Sequence, residues 1–278
     1  MSTSSLFTRT AARSPWRRVL RMTLIAVAIY GGVLLLLYWK QEFLLFAPTR
    51  LPPGHRFSVP DVVERTIDVD GATLSALHFR QPGAKGVVFF LHGNAGSLEQ
   101  WLTGTDFYRR TGFDLFMLDY RGYGKSTGRI TSEAQLHADV RAAWQAIAPE
   151  YAGRKVVLYG RSLGSGLATR LATEVDADLL VLVSPYSSLR DVARDHYPWV
   201  PGALLRYPMR TDEWLPHVRM PVLILHGDRD RIIGVEHAER LRALHPAAEL
   251  VRLRGVDHND IDLSQEYQRN LAGRYRSL

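Results

Sequence analysis

The chain has 278 residues, 46% of them hydrophobic and 23% charged, with no cysteine and a formal net charge of +7. That length fits one large α/β domain or two small ones, and it can bury a full core. The composition excludes a disordered or collagen-like chain, a disulfide scaffold and any thiolate chemistry, whether metal ligation or a cysteine nucleophile. Residues 1–50 carry seven basic residues against the single acid Glu42, a net +6, which leaves +1 for residues 51–278 and speaks against a nucleic-acid surface on the folded part.

The first element in chain order is the uncharged stretch Met22–Trp39, close to the roughly 20 residues that cross a bilayer as a helix. Arg13, Arg17, Arg18 and Arg21 precede it, and Tyr38 and Trp39 close it like interfacial anchors. The positive-inside rule then predicts a basic cytoplasmic N-terminus over 1–21, a transmembrane signal anchor over 22–39 and a non-cytoplasmic remainder, periplasmic in a bacterium. A cleaved signal peptide and the reversed orientation are the competing readings. Cleavage prefers small residues after the apolar run, whereas Tyr38-Trp39-Lys40-Gln41-Glu42 follow here. Pro48, Pro52 and Pro53 mark a stiff linker over 40–59, ahead of one domain over 60–278.

Val62–Asp70 alternates polar and apolar residues, Asp70-Gly71 is a hairpin turn signal, and Thr73–Phe79 alternates again, so an antiparallel hairpin is expected at a sheet edge. Short apolar runs follow at Gly86–Leu91, Phe113–Leu118, Lys155–Tyr159, Leu179–Val183, Val222–Leu225 and Leu250–Leu253. Helical spacing occupies the gaps at Ser132–Ala148, Leu163–Thr173 and Val235–Leu244. Buried runs alternating with helices predict an α/β fold, a mostly parallel sheet with helices on both faces, whose ligands bind beyond the C-terminal strand ends.

Four loops at those ends carry chemistry. Gly160-Arg161-Ser162-Leu163-Gly164 is a G-x-S-x-G between a strand and a helix, where small neighbours let the backbone turn tightly and expose the Ser162 hydroxyl. Gly160, Gly164 and Gly166 also spell a dinucleotide-binding pattern, but several strands precede it and Tyr151-x-x-x-Lys155 lies before rather than after it. His92-Gly93-Asn94-Ala95-Gly96 follows the first buried strand. A developing oxyanion needs backbone N–H donors, which Asn94 and Leu163, the residue after Ser162, would supply, while His92 is expected to order the loop. His226-Gly227-Asp228-Arg229-Asp230 offers two acids to hold a catalytic histidine. Asp228 can instead cap the turn or pair with a neighbouring arginine, which favours Asp230. Last, His258 in Gly255-Val256-Asp257-His258 is placed to serve as general base. Asp119–Ser126 is rich in glycine but lacks Walker spacing, and H-E-x-x-H is absent, so neither a cofactor nor a metal is expected.

These loops together, worded HGNAG, DYRGYGKS, GRSLGSG, SPYSSL and LHGDRD, resemble the α/β-hydrolase superfamily over about residues 60–270, and within it the membrane-anchored bud-emergence-type and serine-aminopeptidase-like hydrolases. The resemblance implies a central sheet of about eight strands with Ser162 as nucleophile, His258 as base, Asp230 as acid, and Asn94 and Leu163 as oxyanion donors. It departs at Ser165, where many relatives carry glycine. Residues 186–218 are expected to form a short lid; its Tyr186, Tyr197, Trp199, Tyr207 and Trp214 suit an apolar acyl group or simply pack the lid onto the core. The expected function is a membrane-anchored serine hydrolase of an ester, thioester or amide, acting on a small-molecule or lipid-like acyl substrate. A non-catalytic scaffold of the same fold that binds a partner is the alternative.

Overall fold

The computed structural model describes residues 15–278; residues 1–14, Arg9 and Arg13 among them, lie outside the described residues. The chain divides at Gln41/Glu42 into two compact units. The first holds the 25-residue helix α1 (Pro15–Trp39), none of whose residues is buried and which is long and apolar enough to cross a membrane. It starts seven residues before the expected span at Met22. Proline suits the first helical turn and arginine is a good helix former, so the helix runs on beyond the apolar pattern.

Glu42–Leu278 forms the second unit. The short helix α2 (Gln41–Leu45) and the two-residue strand β1 (Ala47–Pro48) lead into the hairpin β2 (Val62–Val69) and β3 (Ala72–Phe79). Next come β4 (Gly86–Leu91), β5 (Ala95–Gly96), α3 (Leu98–Trp101), α4 (Asp106–Thr111) and β6 (Phe113–Leu118). The middle of the unit holds α5 (Glu133–Ile147), β7 (Lys155–Arg161), α6 (Leu163–Ala172), β8 (Leu179–Val183), α7 (Leu189–His196) and α8 (Thr211–Trp214). It closes with β9 (Val222–Gly227), α9 (Val235–Leu244), β10 (Glu249–Leu253) and α10 (Gln265–Arg276).

Eight strands form one sheet in the order β10-β9-β8-β7-β4-β6-β3-β2. The pairs from β10 to β6 are parallel; β3 pairs antiparallel with both β6 and β2, as the Asp70-Gly71 turn requires. β4 and β8 are buried along their whole length, which a parallel strand covered on both faces demands, whereas β2 at the edge keeps an alternating, half-exposed pattern. Alternation along β4 sends Val87, Phe89 and Leu91 to one face and Val88 and Phe90 to the other. The first face is sealed by Leu136, Val140 and Trp144 of α5 and Leu163, Leu167 and Leu171 of α6; the second by Leu98, Leu102 and, from α10, Tyr267, Leu271 and Tyr275. Ser132 caps α5 by accepting from Gln135 N (3.1 Å).

Part of the segment expected as a linker is hydrogen-bonded into this unit. β1 pairs in parallel with β5, and Leu51 N donates to Gly124 O (2.8 Å). The expected lid breaks into α7, α8 and two single 3-10 turns at Gly202–Leu204 and Leu215–His217. Its aromatic residues divide: Tyr186 and Tyr207 are buried and pack against the core, whereas Tyr197 and Trp199 are exposed.

Candidate active site

The turn from β7 to α6 is tight because two glycines make it so. A Cβ on Gly160 would stand 2.3 Å from Gly164 O, and one on Gly164 would stand 2.0 Å from Leu91 O, so neither position has room for a side chain. Between them Ser162 takes φ +50°, a left-handed conformation that costs a non-glycine residue of order 1–3 kcal/mol. The strain is held by Ser162 N donating to Val183 O (2.9 Å) and by Ser165 N and Oγ donating to Ser162 O (2.8 and 2.6 Å). The hydroxyl of Ser165 therefore fastens the turn.

His258 follows β10 and Asp230 follows β9, and the sheet order brings both to the same edge as Ser162. His258 Nε2 lies 3.1 Å from Ser162 Oγ, and His258 Nδ1 lies 2.6 Å from Asp230 Oδ2. The strong Asp230 contact favours a proton on Nδ1, which leaves Nε2 free to accept from the serine. Asp230 Oδ1 accepts from Ile232 N (3.0 Å) and Ile233 N (2.8 Å). Burial pushes the Asp230 carboxyl up, but the hydrogen bonds from His226 and His258 win and hold it well below the usual carboxylate range. Asp228 does other work: its Oδ1 accepts from Gly255 N (2.7 Å) and caps the turn of the histidine loop. Ser162, Asp230 and His258 are only 7–8% exposed, so their mutual electrostatics act largely out of water.

Asn94 and Leu163 lie on the two segments that meet beside Ser162. Leu163 opens α6, so its N–H has no acceptor within the helix. The Gly93 Cα is close enough to the elbow that a Cβ there would lie 3.6 Å from Ser162 Cβ. His92 orders this loop as expected: its Nδ1 bonds Gly93 O (2.7 Å) and its ring lies 4.2 Å from that of Tyr120. The glycine-rich Asp119–Ser126 loop braces the His92 loop. Tyr120 Oη donates to His92 O (2.8 Å) and Tyr123 Oη to Asn94 O (2.7 Å).

Sequence reasoning missed two residues that brace this arrangement. His226 is fully buried on β9, with Nε2 2.8 Å from Ile233 O and 3.3 Å from Asp230 Oδ2, directly behind the acid. Its place four residues before Asp230 was the available signal, but one histidine in an apolar strand carries no periodic pattern. Arg161, the variable position of the elbow, donates from Nη2 to His258 O (3.0 Å) and pairs with Asp262, tying the serine turn to the histidine loop. A lone arginine before Ser162 has no signature in sequence at all.

A family model described as "Serine aminopeptidase, S33" matches residues 82–210. The uncharacterized protein Rv2307c of Mycobacterium tuberculosis is 34% identical over 260 residues, covering 88% of this chain and 90% of its own. Human alpha/beta hydrolase domain-containing protein 17B is 33% identical over 198 residues, 68% of this chain and 66% of its own. The chain belongs to the α/β-hydrolase superfamily. Its fold is that of the Pyrococcus furiosus esterase Pf2001, with a TM-score of 0.65 at 20% identity over 82% of this chain and 96% of the other. Est1E from Butyrivibrio proteoclasticus, solved with ferulic acid bound, shares the fold at a TM-score of 0.63 and 18% identity, over 77% of this chain and 96% of its own.

Proposed function

We propose that this α/β hydrolase is a membrane-anchored serine hydrolase that cleaves a carboxylic ester, thioester or amide. The observation that carries the reading is the relay Ser162 Oγ–His258 Nε2–His258 Nδ1–Asp230 Oδ2, at 3.1 and 2.6 Å, built on a strained strand-to-helix turn. Ser162 Oγ attacks the acyl carbonyl while His258 Nε2 takes its proton. The oxyanion forms against the N–H groups of Asn94 and Leu163. His258 returns the proton to the leaving oxygen, sulfur or nitrogen, which departs and leaves an acyl-serine. Water, deprotonated by His258, then attacks the acyl-serine, and the acid and free Ser162 are released. Asp230 stays an anion throughout and stabilises the imidazolium. That Pf2001 is described as an esterase makes esters the first substrates to try.

Membrane attachment rests on α1, and orientation on Arg17, Arg18 and Arg21 ahead of its apolar stretch. Exposed domains facing away from the cytoplasm are digested by protease added to spheroplasts; protection until lysis would reverse the orientation. For the chemistry, a fluorophosphonate probe should label the detergent-solubilised wild type and fail to label Ser162→Ala. A folded wild type that does not label, or a labelled Ser162→Ala, would overturn the assignment and favour a binding scaffold.

A further inference from the structure

His92 and Gly93 are buried but Asn94 and Ala95 are exposed, so core packing ends just before the proposed oxyanion donor and hydrogen bonds hold the rest of the loop. The Gly93–Asn94 peptide, which bears that N–H, is fixed through Gly93 O by His92 Nδ1 (2.7 Å). A trans peptide points its N–H opposite to its carbonyl, so this contact aims the Asn94 N–H away from His92. The following peptide is fixed through Asn94 O, which accepts from Tyr123 Oη (2.7 Å) and from Ala47 N (2.9 Å). Two residues further, Gly96 O accepts from Thr49 N (2.8 Å), and Thr49 O accepts from Gly124 N (2.9 Å).

The donors Ala47 and Thr49 belong to the stretch just after the apolar helix, and that stretch is anchored in turn. Phe46 is buried edge-on against the Tyr207 ring at 5.2 Å, Tyr207 Oη donates to Glu42 Oε1 (2.7 Å), and Glu42 also pairs with Arg206. Asn94 Nδ2 completes the clasp with a bond to Leu45 O (3.3 Å). We infer that Glu42–Leu51 is a positioning strap of the active site, which fixes the Asn94 loop through the Ala47 and Thr49 amides and ties it to the Arg206–Tyr207 segment. The inference rests on the proposed hydrolase chemistry, since the strap matters only if Asn94 N–H meets an oxyanion.

Proline at either position deletes one backbone donor, while also fixing its own φ and restricting the residue before it. In the full-length, detergent-solubilised chain, Ala47→Pro and Thr49→Pro should each lower kcat on p-nitrophenyl butyrate, counted per fluorophosphonate-titrated serine, by about ten- to a hundredfold, the scale of a small misplacement of an oxyanion donor. KM should stay within about twofold, and Ala47→Gly, which keeps the N–H, should restore kcat. Normalising to titrated serine separates positioning from a mere loss of folded protein. Normalised kcat within about twofold of wild type in both proline variants would overturn the inference while leaving the hydrolase assignment intact. If both fail to fold, Tyr207→Phe decides, because it removes the hydroxyl that anchors the strap at Glu42: a severalfold fall in normalised kcat supports the strap, and no change overturns it. A wild type that neither labels nor turns over would take the hydrolase reading down, and this inference with it.

Discussion

Ser162, His258 and Asp230 sit 96 and 28 residues apart in pairs along the chain, and each depends on a different kind of support. Asp230 accepts hydrogen bonds from two backbone amides and stands next to two histidines, so it remains ionised far into acid. Protonation of Asp230 should therefore not enter the acid limb of kcat/KM; a limb with a slope of two would show it protonating there. Asp230→Asn should lower kcat by roughly three to four orders of magnitude, because the amide no longer holds the right tautomer. Asp228→Asn should leave kcat within about tenfold, since Asp228 only caps the Gly255 turn. Single-turnover rates on the two variants separate the two acids; equal losses would sink the assignment. The sequence favoured Asp230 but could not separate it fully from Asp228, because each lies in the same turn with an arginine beside it. What separates them is the approach of His258 to one carboxylate, a contact across 28 residues that no local pattern encodes.

The elements were legible to the extent that their signals were local. The hairpin followed from its turn, the parallel strands from apolar runs and α5 from its spacing. The short helices α3, α7 and α8 were not, since four to eight residues cannot display a period. α6 was visible, yet the demand on Gly164 comes from the neighbouring strand: a Cβ there would meet Leu91 O at 2.0 Å. Gly164→Ala should accordingly cost about 3 kcal/mol or more of unfolding free energy in urea, where an exposed helix position would gain from alanine. A second element effect lies on β3. His78 is buried against Tyr151 Oη (2.7 Å), and burial, with Arg65 and Arg80 adding to it against Glu150 and Asp114, pushes it down to about 4. Its folded value lies below its ordinary 6.5, so the stability it confers is full above that pH and is lost as pH falls toward 4, a matter of a few kcal/mol at most. His78→Gln should flatten the fall in melting temperature between those limits; an unchanged slope would assign it to other groups.

At the scale of the whole molecule, the division at Gln41/Glu42 predicts that a chain beginning at Glu42 folds by itself and keeps a titratable Ser162, while only chains retaining α1 stay with membranes through carbonate extraction. Because the strap lies wholly within the second unit, a chain beginning at Leu51 instead should label slowly. Fractionation and labelling rates check both. By itself the sequence determined the fold class, the apolar segment and the order of the chemical loops. Each is written in patterns a few to twenty residues long: periodicity, turn residues and the spacing of glycines. Only the tertiary structure decided which aspartate faces His258, that His226 and Arg161 brace the site, and that residues expected as a linker grip the Asn94 loop. Those are contacts between segments far apart in the chain, made by single side chains or by backbone amides whose partners depend on packing rather than on residue type.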